Sequence, residues 1–395
     1  MKTSLAKNTR AGNQTSVKND STFVKCALGD IPAFDVAAAH ALYRQLLAPA
    51  QAGWQDAKSL LVVAHGPLGH LPFSLLPRAD GRINEEAEPL FSGYRDVPWL
   101  ARSHAVTNLP SVAALRSLRA VPAAAAGRTA FTGFGDPWFR AEHAVPTAIP
   151  HTAQLANRGA LALRKFPMTL RSVPRTRAAN SADLARLPRL METAEELKSI
   201  ALGADPATTV FTGKQASEGL VKSMNLSGVR VLAFATHGLV PGDLDGLIQP
   251  ALALSTPAVT GESGDGLLTL GEILGLKLDA DWVVLSACNT GAADGADAEA
   301  VSGLGRAFFY AGSRALLVSN WPVETTSAQA LTTKLFQLQA ADAGLERSHA
   351  LRRATLALID GPGFVDADGQ VVFSYVHPIF WAPFSVVGDG GGVRG

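Results

Sequence analysis

Two side chains in this sequence could carry covalent chemistry together. Cys288 closes the run Asp281-Trp282-Val283-Val284-Leu285-Ser286-Ala287, and His237 follows Val229–Thr236, 51 residues upstream. A thiolate attacks carbonyl carbon, and an imidazole beside it raises the thiolate fraction and protonates the leaving group. Both residues end short apolar runs bounded by turn formers, the pattern of parallel strands buried on both faces. Open α/β sheets bind ligands at the carboxyl ends of such strands, so both groups are expected on one edge of one sheet. Gly238 has no side chain to shield its N–H, which with the Cys288 N–H would form an oxyanion hole. The Gly- and Asp-rich segments 238–249 and 289–299 are expected to wall the cleft.

Competing chemistries lack their residues. There is no Cys-x-x-Cys pair, and His65 and His70 flank a Gly/Pro loop rather than one helix turn, so no metal site is expected. No Gly-x-Ser-x-Gly elbow, Walker loop or Gly-x-Gly-x-x-Gly fingerprint occurs, and no cofactor is expected.

The supporting elements follow from periodicity. A helix is expected between Ala33 and Trp54, limited by Pro49, then a strand at Leu60–Ala64 and a loop through His65 and His70. A mixed segment, Val97–Val106, ends near a strand. Ser111 should cap a helix running to Leu118, and Arg128–Gly133 reads as a strand. In the second half, strands at Thr208–Phe211, Val229–Ala235, Ala251–Leu254, Val283–Leu285 and Ala315–Ser319 alternate with helices at Glu192–Leu202, Ala216–Met224, Leu270–Leu274, Ala300–Ala311, Thr325–Gln339 and His349–Ile359. The closing stretch is Phe380–Val387. Alternation of this kind implies right-handed βαβ units and a mostly parallel sheet between helical layers, a three-layer αβα architecture.

Composition narrows the function class. The 395 residues carry a formal charge of +1, which offers no global attraction for nucleic acid or membrane. No apolar run reaches the roughly 20 residues of a bilayer span, and the polar first 22 residues lack a signal-peptide apolar region. With two cysteines, a disulfide framework is excluded and a reducing, cytoplasmic location is expected. Residues 143–182 hold six Arg or Lys and no acid, marking a basic connector. Four parts result: a disordered lead-in at 1–22, a first half at 23–150, the connector at 151–185 and a second half at 186–395. The connector lacks stacking aromatics, which argues against a nucleic-acid groove, and its arginines suit an autoprocessing site.

The 51-residue interval matches the order and spacing of histidine and cysteine in caspases. The motifs FATHG around His237, LSACNTG around Cys288, GRAFFYAGSRALLVSNWPVE around Trp321 and HPIFWAPFSVVG near the end resemble the CHAT family, caspase-like cysteine peptidases related to separase and found mostly in bacteria. LGHLPFSLLP, RSHAVTNLPSVAAL and LPRLMETAEEL resemble its N-terminal portion. The resemblance implies a caspase-like fold with a pseudo-caspase first half and an active second half. It makes His237 the general base, Cys288 the nucleophile and Gly238 the oxyanion glycine. Relatives often cut after a basic residue, read by an acid. Where the family motif after Trp321 often carries aspartates, this chain has Val323-Glu324-Thr325, so Glu324 is expected to supply that charge, with Asp294 and Asp297 as alternatives.

The expected function is therefore a cysteine endopeptidase making limited cuts in a protein substrate, after Arg or Lys, in bacterial antiviral defence or regulated proteolysis. The alternative is a catalytically silent caspase-like scaffold that binds a partner protein. No tetratricopeptide repeat, with its period of about 34 residues, accompanies the module, so a regulatory or activating partner would be a separate chain.

Overall fold

The structure is a computed structural model. It describes residues 23–84, 86–121, 125–144, 167–171, 181–202, 208–241, 243–244, 246–286, 303–321, 323–366 and 368–391. The lead-in 1–22 and most of the basic connector lie outside the described residues.

Among the described residues, eight strands form the central sheet: β1 (Ser59–Val62), β2 (Ala105–Asn108), β3 (Thr129–Gly135), β4 (Thr208–Thr212), β5 (Val229–Ala235), β6 (Trp282–Leu285), β7 (Ala315–Ser319) and β8 (Phe384–Gly388). Their order across the sheet is β1-β2-β8-β7-β6-β5-β3-β4. Strands β3 to β7 all run one way. Strand β8 is antiparallel to β7 and parallel to β2, which is parallel to β1. The closing stretch of the chain therefore bridges a five-stranded parallel block and a three-stranded block of opposite direction.

The apolar runs are continuous because both faces of the sheet are covered. Ala233, Ala235, Trp282, Val284, Ala315 and Leu317 point into one core. Their neighbours Leu232, Phe234, Val283, Leu285, Leu316 and Val318 point into another. This period-two division makes the middle layer of an αβα sandwich. Among the described residues the α-helices of five residues or more are α1 (Val36–Leu46), α2 (Val112–Arg119), α3 (Glu192–Leu202), α4 (Glu218–Ser223), α5 (Leu270–Leu274), α6 (Gly303–Ala311), α7 (Thr325–Ala341) and α8 (Arg347–Asp360). Helices α1, α3, α7 and α8 cover the first face, and α4, α5 and α6 the second.

Local chemistry sets the helix ends. Ser111 caps α2 by accepting the Ala114 N–H, and Thr269 with Glu272 forms a reciprocal capping box at α5. Helix α1 stops at Leu46, short of Trp54, because Pro49 cannot supply an amide inside a helix; a 3-10 turn, Ala48–Gly53, replaces the last stretch. Helix α3 lies close over the end of β3. A Cβ on Gly135 would sit 2.6 Å from Leu197 Cδ1, so glycine is what permits that approach.

At the amino ends of the parallel strands lies a buried ionic network. Asp281, just before β6, is within 3.0 Å of Arg128, 3.4 Å of Arg230, 3.7 Å of Arg314 and 4.0 Å of Arg347. This network pins that end of the sheet and leaves the opposite edge for chemistry. Among the described residues no helix is long and apolar enough to cross a membrane.

Candidate active site

His237 stands two residues past the carboxyl end of β5 and is fully buried. Its Nε2 lies 2.9 Å from the carbonyl oxygen of Pro188. A carbonyl can only accept, so Nε2 carries the proton and, in the neutral ring, Nδ1 is the basic nitrogen. The Phe139 ring packs on the imidazole with centroids 5.7 Å apart. Phe139 belongs to a small apolar cluster with Leu187 and Leu239 that roofs this end of the sheet.

Strand β6 lies beside β5 in parallel register, Leu285 opposite Phe234. The ladder continues one step, with Ser286 N–H donating to Phe234 O at 3.0 Å. His237 and Cys288 are each three residues beyond that register pair. Cys288, Asp294 and Asp297 lie outside the described residues.

Gly238 begins a two-residue strand, Gly238–Leu239, antiparallel to Ala251–Ala253, where a wall loop was expected. The register sets Gly238 opposite Leu252, while Ala253 N–H donates to His237 O at 2.9 Å. That bond makes Gly238–Leu252 a non-hydrogen-bonded pair, so the Gly238 N–H points away from this ladder.

Glu324 is buried and serves as the N-cap of α7. Its carboxylate accepts the Thr326 N–H at 3.0 Å and the Ser327 N–H at 2.7 Å. A carboxylate at a helix amino end is also favoured by the helix dipole. Trp321 is half-buried and packs against the main core.

Four residues that the sequence did not single out are tied together in pairs at this end of the sheet: Arg189, Asp136, Ser286 and Glu196. Arg189 follows Pro188, and its guanidinium grips Asp136, the residue just past β3, through Nε–Oδ1 at 2.8 Å and Nη2–Oδ2 at 2.7 Å. Burial pushes the Asp136 carboxyl up from its ordinary value, against the opposing pull of Arg189. Ser286 Oγ donates to the fully buried Glu196 of α3 at 2.9 Å, tying the chain below Cys288 to that helix. The available signal was an acid directly after a strand, in FGDPWF, at the same sheet edge as FATHG. Among the described residues no group of three or more His, Cys, Asp or Glu side chains is arranged to hold a metal ion.

No curated protein matches the sequence. Solved structures with similarity include the Saccharomyces cerevisiae separase–securin complex, at 12% identity and TM-score 0.39, covering 75% of this chain and 14% of that one. A second structure of that complex gives 13% identity and TM-score 0.40, covering 75% and 15%. The Arg-specific cysteine proteinase gingipain R matches at 8% identity and TM-score 0.44, covering 90% of this chain and 68% of that one. The chain thus spans about one seventh of the separase chains it matches. A family profile for the CHAT domain matches residues 36–389, nearly the whole chain. That stretch contains the FATHG and LSACNTG motifs and every described strand of the central sheet, and on it the chain belongs to the CHAT domain family.

Proposed function

We propose that this protein is a cysteine endopeptidase acting through His237 and Cys288 on a protein substrate. The observation that carries the reading is the equal offset of the two residues beyond the Phe234–Leu285 register pair, with the imidazole tautomer set by the Pro188 carbonyl.

In this reading Nδ1 of His237 takes the thiol proton. The thiolate then attacks the scissile carbonyl carbon, and its oxygen becomes an oxyanion held by the Gly238 and Cys288 N–H groups. Collapse expels the amine, which receives the proton from the imidazolium, and leaves a thioester. Water, deprotonated by the same nitrogen, attacks the thioester, releases the carboxylic acid and returns the thiol. Removing one oxyanion donor from such a site costs about a hundredfold to a thousandfold in kcat.

The acid that reads a basic residue before the scissile bond is assigned to Asp294 and Asp297. Both oxygens of Glu324 are already engaged by α7 amides, which makes it the weaker candidate. Trp321 lies at the start of the segment leading to that helix and is retained as a substrate contact. Limited proteolysis in bacterial defence, a cytoplasmic location and control by a separate regulatory protein complete the proposal.

The test is cleavage of a mixed peptide library by the wild-type chain and by Cys288→Ala. Cuts after Arg or Lys that vanish in the variant support the reading. Turnover that survives the substitution removes Cys288 as nucleophile. A wild-type chain silent on every peptide, with a thiol of ordinary reactivity, leaves the binding scaffold instead.

A further inference from the structure

The catalytic histidine's hydrogen-bond partner is itself held in an unusual way. The carbonyl that fixes His237 belongs to Pro188, which has no N–H with which its own backbone could be anchored. The next residue supplies the anchor instead. Arg189 makes a bidentate pair with Asp136 and uses its remaining guanidinium nitrogen, Nη1, to donate to the His143 carbonyl at 2.7 Å. The guanidinium also lies over the Trp138 ring, 5.6 Å from its centroid. Asp136 is fixed in turn. It takes a left-handed conformation, φ 46°, directly after β3, and its N–H donates to Thr193 Oγ1 at 2.8 Å. Thr193 Oγ1 donates onward to Leu190 O at 2.7 Å, closing a loop of bonds over residues 188–193.

Strand β3 is the immediate neighbour of β5, which carries the histidine. The segment that carries the Pro188 carbonyl is therefore tied to the sheet edge through this ion pair, with 20% of the Arg189 side chain and 6% of the Asp136 side chain exposed. A buried ion pair adds little net stability over an apolar pair of the same volume. What a planar, two-pronged pair adds is a fixed distance and angle.

We infer that Asp136 and Arg189 are positioning residues for His237: their bidentate pair holds the Pro188 carbonyl on Nε2–H and so keeps Nδ1 as the basic nitrogen. This inference rests on the reading of His237 and Cys288 as the reacting pair. Neither Asp136 nor Arg189 touches substrate.

Alkylation by iodoacetamide tests it without a known substrate. The rate at Cys288 is followed against pH on the full chain, with peptide mass spectrometry separating Cys288 from Cys26. Wild type, His237→Ala, Arg189→Lys and Asp136→Asn are compared, and each is melted in parallel. Wild-type Cys288 should react well below the free-thiol range, whose pKa is about 8.5, and His237→Ala should move the profile up to that range. Arg189→Lys keeps the charge but loses the second prong, and Asp136→Asn keeps the shape. Both should shift the profile in the same direction as His237→Ala and lower the neutral-pH rate by up to ~100-fold. Asp136→Asn, equal in size, carries the test if Arg189→Lys does not fold. Profiles of both variants that superimpose on wild type, with or without a lower melting temperature, overturn the positioning role and leave the dyad standing. A wild-type profile like that of a free thiol, unmoved by His237→Ala, overturns the dyad itself and this inference with it.

Discussion

The ionic network at the base of the sheet offers a quantitative test. Asp281 is only 3% exposed and faces four arginines, of which Arg128 is 6% and Arg347 1% exposed. Burial pulls the Arg347 guanidinium below its ordinary value, while Asp281 and then Asp389 pull it back up. Asp281→Ala removes the counter-charge from two buried cations at once. Arg128 keeps Asp279 at 3.9 Å, Arg314 keeps it at 2.6 Å and Arg347 keeps the pull of Asp389, so the loss falls on Arg128, the nearest cation, and on Arg347, the most buried. Breaking a buried pair from one side costs about 3–5 kcal/mol. Unfolding entropy of about 2.1 cal/mol/K per residue gives roughly 0.8 kcal/mol/K for a chain of this length, so Tm should fall by about 4–6 °C. Asp281→Asn, which keeps the shape, should fall nearly as far. The double variant Asp281→Ala with Arg347→Met should lose less than the sum of the single changes, by more than about 1 kcal/mol. Scanning calorimetry reads the wild type, Asp281→Ala, Asp281→Asn, Arg347→Met and the double variant. A Tm for Asp281→Ala within about 1 °C of wild type, or additive single and double effects, would refute the reasoning.

Glu324→Ala should cost about 1–2 kcal/mol as a lost N-cap and leave the preference for Arg or Lys intact, read by melting and peptide cleavage; lost preference at unchanged Tm would return Glu324 to the pocket. His377 is walled by the Phe91, Tyr94 and Phe380 rings, and its Nδ1 accepts the Ile379 N–H; burial lowers its pKa from 6.5 to about 4. Between those values the unfolded chain takes a proton that the folded chain refuses. This contribution is therefore fully present above pH 6.5 and falls by about 3 kcal/mol on acidification to pH 4. His377→Asn should flatten the slope of stability with pH over that window, and an unchanged slope counts against the burial argument. Autoprocessing within the basic connector predicts fragments of the wild-type chain on a gel after activation and none from Cys288→Ala; full-length chain in both cases ends that idea.

Much of the fold could be read residue by residue. The bounds of β5, β7, α3 and α5 agree with the periodicity, because a strand covered on both faces must be apolar throughout and a helix shows its stripe and its cap locally. Ser111 was legible as a cap for the same reason. Glu324 was not, because glutamate is a weak N-cap signal and an acid in that motif also suits a substrate pocket. The closing stretch read as apolar, but nothing local could say that β8 enters between β7 and β2 with opposite senses of pairing to each. Nor could it say that β3, from the first half of the chain, lies between β4 and β5.

The same division runs through the candidate site. Sequence alone gave the candidate types, their order and their expected setting just past strand ends, since an apolar run followed by a turn is a local signal. It could not decide which imidazole nitrogen is basic. That depends on a carbonyl at Pro188, 49 residues away, whose next residue, Arg189, pairs with Asp136 just past the end of a neighbouring strand. A tautomer is chosen by whichever group lies within about 3 Å of the ring, and only the packing of α3 and its leading segment over β3 brings that group there.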